Sequence, residues 1–296
     1  MRWSRALGCV LLVLPGCADA EQPRSLSVPE RPACSEGAGD LYVLTREGRV
    51  YTFDPPSLEF TKVVDKLACW APGMVLNSMA VDRTGVLWLN FVEWALEEEL
   101  LGGALYRAST LDGTCVRTDV ALPIAWSKLG LTFAASSPPD STEALFAVAS
   151  PVGAHCLLPP EQPGAGLARL EPQKAASVTS LGPFPDGLDR VNAEITGAPN
   201  GELFGLFARQ TPVLARIDKA TGALSDVVTL DGLECPNTLA FAPWGGDLYL
   251  FTAPAFDVNS SVARYSLADG TLELGYVPNV GANIIGAAVS PCVGEP

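Results

Sequence analysis

One histidine stands in 296 residues, and the chain has neither a CxxC pair nor a G-x-S-x-G stretch. No Cys/His set with zinc-ligand spacing exists, and the nucleophile turn of the α/β-hydrolases is missing. Basic residues are few: 19 Lys and Arg against 33 Asp and Glu leave a formal charge of −14. They are also scattered, so the clustered positive surface that phosphate backbones require is absent and no nucleic-acid partner is expected. No apolar run reaches the ~20 residues of a membrane-spanning helix.

The composition is nevertheless that of a folded chain, 48% hydrophobic and only 18% charged. Its 28 glycines and 25 prolines are spread along the sequence, as suits many short strands joined by turns.

The start is the most legible stretch. Two early arginines in MRWSRALGCVLLVLPGC precede an apolar run from Ala6 to Leu14, then small residues ending at Cys17. This is the pattern of a secretory signal, expected over residues 1–17. Leu14-Pro15-Gly16-Cys17 resembles a bacterial lipobox, with Cys17 as the lipidated mature terminus and Pro15 departing from the usual residue. An ordinary signal peptide cut nearby is the alternative. Residues 18–36 are polar and proline-rich and read as a flexible tether, leaving 37–296 as the domain. Such a chain is expected to be exported and held at the cell or outer membrane, on its periplasmic or surface side. Six cysteines then remain, at 34, 69, 115, 156, 235 and 292, an even number that favours disulfides in an exported protein.

A Leu-aromatic pair recurs at Leu41-Tyr42, Leu87-Trp88, Leu145-Phe146, Leu203-Phe204 and Leu248-Tyr249, at intervals of 46, 58, 58 and 45 residues. After each pair comes a second run, and four of these runs carry an arginine at the matching place: Arg107, Arg169, Arg216 and Arg264. Turns such as KATGA and ADGT follow, then a Val/Thr/Leu-rich return, which is a hairpin signal. Four pairs also have a short apolar run before them. Each repeat therefore reads as four strands, A to D, and such repeats mark a β-propeller.

The expected fold is all-β: a five-bladed β-propeller of four-stranded antiparallel blades, with six blades as the alternative. The first pair has no strand A before it, while NIIGAAVSP (283–291) is a surplus strand at the other end. Ring closure by that strand would bring Cys292 beside Cys34, so a Cys34–Cys292 disulfide is expected. The extra length in the long repeats falls between strands B and C, at 93–103 and 150–166, with a smaller insertion at 252–261. B–C and D–A connections share one face of an up-and-down blade, so that elaborated face is the functional candidate.

Asn77, Asn192 with Glu194, Asn237 and Asn283 stand where strands A begin, at the expected mouth of the central channel. Asn77, Glu194, Asn237 and Asn283 are loosely similar to the axial metal ligands of the gluconolactonase-like propellers. That resemblance implies Ca²⁺ and a lactonase-like hydrolysis; the plainer reading, with no cofactor, is that asparagines cap tight turns. His155-Cys156 as a nucleophile pair fails because neighbours on an extended segment point apart. The strand-C arginines are read as structural partners within their blades, the acidic run Glu97–Glu99 as a solvated loop, and Asn259-Ser260-Ser261 as an accidental glycosylation sequon. Trp70, Trp94 and Trp126 fall in or beside loops of the elaborated face, where exposed indoles suit a protein, peptide or glycan. Trp70 and Trp126 could equally plug the channel mouth. A monomeric, non-catalytic binding or scaffold module is thus expected.

The lipobox-like start, LYVLTREGRVYTFDPPSLEFTKV, NSMAVDRTGVLWLNF and VLARIDKATGALSDV together resemble uncharacterised secreted propeller lipoproteins of the myxobacterial type. The resemblance spans nearly the whole mature chain and implies a propeller and export, with no activity attached.

Overall fold

The computed structural model describes residues 27–30, 33–34, 39–69, 73–94, 100–135, 142–158, 160, 162–172, 178–254 and 257–292. Blade 1 takes β1 (Leu41–Thr45), β2 (Val50–Asp54) and β3 (Glu59–Val64). Blade 2 is β4 (Met74–Val81), β5 (Val86–Trp94), β6 (Leu100–Ser109) and β7 (Cys115–Arg117). Blade 3 is β8 (Leu129–Ala135), β9 (Glu143–Ala149), β10 (Gly166–Leu170) and β11 (Val178–Gly182). Blade 4 is β12 (Ala193–Gly197), β13 (Leu203–Phe207), β14 (Val213–Ile217) and β15 (Leu224–Thr229). Blade 5 is β16 (Pro236–Trp244), β17 (Asp247–Pro254), β18 (Ser261–Ser266) and β19 (Leu272–Val277). The last strand, β20 (Ile284–Val289), pairs antiparallel with β1 and becomes the inner strand of blade 1. The ring is five-bladed and closed by the C-terminal strand. Inner strands β4, β8, β12, β16 and β20 touch in sequence around the axis.

The repeated residues are cross-strand partners. Trp88 lies opposite Arg107, Phe146 opposite Arg169, Phe204 opposite Arg216 and Tyr249 opposite Arg264. The leucines of the pairs are buried on one blade face and the aromatics on the other, because each blade is sandwiched between two neighbours. The arginine covers its aromatic partner: the guanidinium lies 5.4 Å from the Trp88 ring centroid in blade 2 and 5.6 Å from that of Phe204 in blade 4. Its charge is met by acids, Glu30 for Arg107, Glu202 and Asp226 for Arg216, Asp247 and Glu273 for Arg264. Arg107, Arg216 and Arg264 thus act as structural partners within their blades.

The insertion at 93–103 is not simply a loop. Glu93 pairs with Gly102 and Trp94 with Leu100, so strands B and C continue upward as a hairpin. Val92, Glu93 and Trp94 prolong β5 to nine residues, and each pairs with the opposing strand. The described residues between Ser150 and Ala165 form no regular strand and are held by a His155–Leu158 bridge and by Gly164 N–H donating to the Asp189 carbonyl at 2.6 Å.

Three disulfides join Cys34 to Cys292, Cys69 to Cys115, and Cys156 to Cys235. The first was expected from ring closure. The second ties the β3–β4 connection to β7, and the third ties the 150–166 loop to the start of β16. Three disulfides are consistent with an extracytoplasmic protein. Part of the segment read as a tether lies on the domain: Val28 is buried in the core between blades 2 and 3, and Glu30 pairs with Arg107.

Candidate functional site

A cavity of about 260 Å³ opens at the axial mouth. Its lining includes Arg46, Asn77, Trp94, Lys128, Ser150, Asn192, Glu194, Asn237 and Thr238, together with Val152–Ala154 of the blade 3 loop. Arg46 and Trp94 follow or end B strands, whereas Lys128, Asn192 and Asn237 stand at the starts of A strands and Asn77 at a bulge within β4. The cavity therefore sits on the face that carries the insertions.

Register explains why these side chains converge. Lys128, Asn192 and Asn283 each come just before the first paired residue of an inner strand, while Asn77 and Asn237 sit at bulges in the same place. The backbone agrees, with Ser150, Ala208 and Arg46 N–H donating to the carbonyls of Lys128, Asn192 and Asn283. Four blades thus present asparagine at one position of the repeat, and blade 3 presents lysine.

Beneath this ring the inner strands approach closely. A side chain at Gly130 would place its Cβ 2.8 Å from the Ala193 carbonyl oxygen, so only glycine lets β8 and β12 meet there. Across the gap the Ser78 hydroxyl donates to Glu194 Oε2 at 2.8 Å and accepts from Leu131 N–H at 3.3 Å. Lys128 Nζ donates to Asn192 Oδ1 at 2.5 Å, and Asn192 Nδ2 donates to the Ala154 carbonyl at 3.1 Å. Asn77 Nδ2 donates to the Leu129 carbonyl at 2.8 Å, and Asn90 accepts from Leu129 N–H at 2.9 Å, locking β8 to blade 2.

Burial controls the charges. It pushes the Glu194 carboxyl well above the usual carboxylate range, against the opposing pull of Ser78 and Lys128. Burial also lowers Lys128 to about 8, with Arg46 adding repulsion and Glu194 resisting. A carboxyl raised on folding binds more protons folded than unfolded between pH 4.5 and its folded value, so it costs stability as pH rises through that window. Glu194→Gln should match the native protein near pH 4 and become progressively more stable than it toward pH 7. Melting curves at both values check this, each kcal/mol reading as roughly 2–4 °C; a gap that does not change with pH would refute it.

Of the residues expected to bind, Asn77, Trp94, Asn192, Glu194 and Asn237 line this cavity. Asn283 is buried beside Arg46 and does not line it. Trp126 is a correction to the exposed indoles expected here. It is 6% exposed and packed against Val86, Leu105 and Leu129. Trp70, Cys17 and Glu97–Glu99 lie outside the described residues. Lys128, Arg46, Ser78 and Thr238 were not singled out from the sequence; the one legible signal was that lysine replaces asparagine in blade 3.

A Ca²⁺ ion fits these residues poorly. Asn77, Glu194 and Asn237 share the cavity, but Asn283 does not line it, Asn237 is exposed at the rim, and the Lys128 ammonium lies within electrostatic reach of Glu194. An ammonium in the ligand shell repels a cation. His155, Cys156 and Cys235 lie together, but their two sulfurs are bonded to each other and supply no thiolate for a metal or for catalysis. A larger cavity of about 800 Å³ separates the outer parts of blades 2 and 3. Its charged lining includes the Arg107–Glu30 pair and Glu143, whose carboxylate is paired with Arg83, and Ser27, Val28 and Glu30 border it.

Fold and site define a closed five-bladed propeller with a polar cavity at the loop-bearing end of its axis. No protein-family model matches the chain, and no curated protein does either. Among solved structures it is similar to a chain of a nidogen/laminin complex, 12% identical with a TM-score of 0.47, over 84% of this chain and 97% of that one. A luciferin-regenerating enzyme is 16% identical with a TM-score of 0.45, over 88% and 95%. A protein of unknown function from Bacteroides caccae is 10% identical with a TM-score of 0.43, over 84% and 97%. Likenesses this distant carry no functional argument.

Proposed function

We propose that the protein is an exported, lipid-anchored propeller that binds a glycan without catalysis, the axial cavity receiving one sugar unit. The observation behind this reading is the composition of the cavity wall. Half-buried Trp94 faces the same space as the amides of Asn77, Asn192 and Asn237 and the ammonium of Lys128. An aromatic surface for the apolar side of a sugar ring, with fixed polar groups for its hydroxyls, is what such a ligand needs. The cavity is smaller than the roughly 300–1,000 Å³ of drug-sized sites, which suits a terminal residue.

The anchor part of the reading rests on Cys17 and the signal-like start, and export is supported by the disulfides. The Ca²⁺-dependent hydrolase is not favoured, because the groups that would hold the ion include an ammonium in their midst. Screening the purified domain on immobilised glycans, followed by titration calorimetry of the best binder, tests the proposal. Trp94→Ala should weaken that binding by about 30-fold, the loss of a central aromatic contact. Absence of glycan binding, or equal binding by the variant, would overturn it.

A further inference from the structure

Within that reading, we propose that the axial cavity recognises a carboxylate, so that the bound sugar is an acidic one, with Lys128 as the group that meets its charge.

The placement of charge carries this. The chain as a whole is acidic, at −14, yet two of the three charged side chains lining this cavity are cations. Arg46 enters from the β1–β2 turn and Lys128 from the start of β8; the third, Glu194, comes from β12 and is held by Ser78 at the cavity's inner end. Lys128 has one described hydrogen bond, to the neutral amide of Asn192. An ammonium offers three donors, so it keeps capacity for an incoming acceptor.

A second, independent observation points the same way. Thr238 lines the cavity on the opposite inner strand, β16, and is 7% exposed, yet its Oγ1 has no hydrogen-bond partner. A buried hydroxyl without a partner costs free energy, and a ligand oxygen within the cavity would satisfy it. An ammonium with spare donors and an unpartnered hydroxyl are complementary to an oxygen-rich anion. They are not complementary to a cation.

The repeat shows how such a site arises. Four blades hold an uncharged asparagine at this position of the repeat, and the amides of Asn77 and Asn192 bond neighbouring backbone. One blade holds Lys128. A single substitution at a repeated scaffold position thereby converts a neutral ring into one with an anion-directed side.

Titration calorimetry with glucuronate, glucose and acetate tests the assignment on the intact mature domain. Glucuronate should bind at least tenfold more tightly than glucose, and Lys128→Met should abolish that preference, bringing the two affinities together. Lys128→Arg should retain part of the preference, and the preference should fall as pH rises through about 8, where the ammonium is lost. Removing an unfavourably buried charge should leave the Met variant folded, which its melting temperature verifies. Equal binding of glucose and glucuronate overturns the carboxylate assignment and leaves the glycan reading intact. Binding of acetate with no added gain for glucuronate supports the assignment and counts against the glycan reading. Binding of none of the three overturns the assignment.

Discussion

Cys34→Ser/Cys292→Ser should melt well below the native protein, by an amount equivalent to about 2–5 kcal/mol. The bond joins residues separated by 258 positions, so it closes nearly the whole chain into a loop. In the chain-entropy account long loops restrict the unfolded state most, and this is the longest of the three. The folded ring should survive the change, because β20 remains registered on β1 from Leu41–Val289 through Leu44–Gly286. Differential scanning calorimetry of the double variant beside Cys69→Ser/Cys115→Ser is the direct comparison. That second bond spans only 46 positions, and its removal should cost less. Equal melting temperatures for the native protein and the 34/292 variant would show that the strand ladder alone holds the ring shut.

Phe251→Ala should cost about 3–5 kcal/mol, the range for deleting a fully buried aromatic side chain. Phe251 has no exposed surface and sits in β17, where blade 5 meets blade 1. Its ring meets Phe53 edge-on with centroids 5.7 Å apart and Phe60 at 6.5 Å. Around it lie Leu41, Val43, Ile284, Ala287 and Val289, all from the blade built jointly by the two chain ends. The cavity left by alanine would therefore open the seam where the ring closes. Urea denaturation should show a lower midpoint with little change in slope. A Phe53→Ala/Phe251→Ala double variant should lose less than the sum of the singles, since both changes empty one cluster. A loss below 1 kcal/mol for Phe251→Ala would mean that the seam repacks freely.

These two sites bear on function through geometry. The axial cavity exists only while five inner strands stand in a closed ring, because Arg46, Lys128 and Asn237 belong to three different blades. An open seam between blades 5 and 1 would move Arg46 away from Asn237 and Thr238 without touching any of them. Weaker ligand binding in seam variants is thus a consequence of lost closure.

Much of the architecture was legible because propeller blades repeat a local rule. The Leu-aromatic pair and the arginine recur because in four blades the aromatic lies opposite an arginine on the next strand, as Trp88 does with Arg107. The surplus strand at 283–291 and the missing first strand A together implied closure, and closure implied the Cys34–Cys292 bond. Legibility ended where the repeats diverge. The continued pairing of Glu93 with Gly102 depends on a hairpin partner, which composition alone did not distinguish from a loop. Trp126 falls in or beside a loop, which left an exposed indole and a channel plug both open, whereas the core between blades 2 and 3 buries it.

The amino-acid sequence by itself pointed to five blades with six as the alternative, and to their strand order, the closing strand and the face that bears the insertions. These follow from periodicity and chain connectivity, which are properties along the chain. Tertiary structure alone decided which side chains share the axial cavity and in what state of charge. Ser78 and Glu194 are 116 positions apart, and Lys128 and Asn192 are 64 apart. Only the packing of inner strands around an axis brings such residues within hydrogen-bonding distance, and only burial there raises one acid and lowers one base.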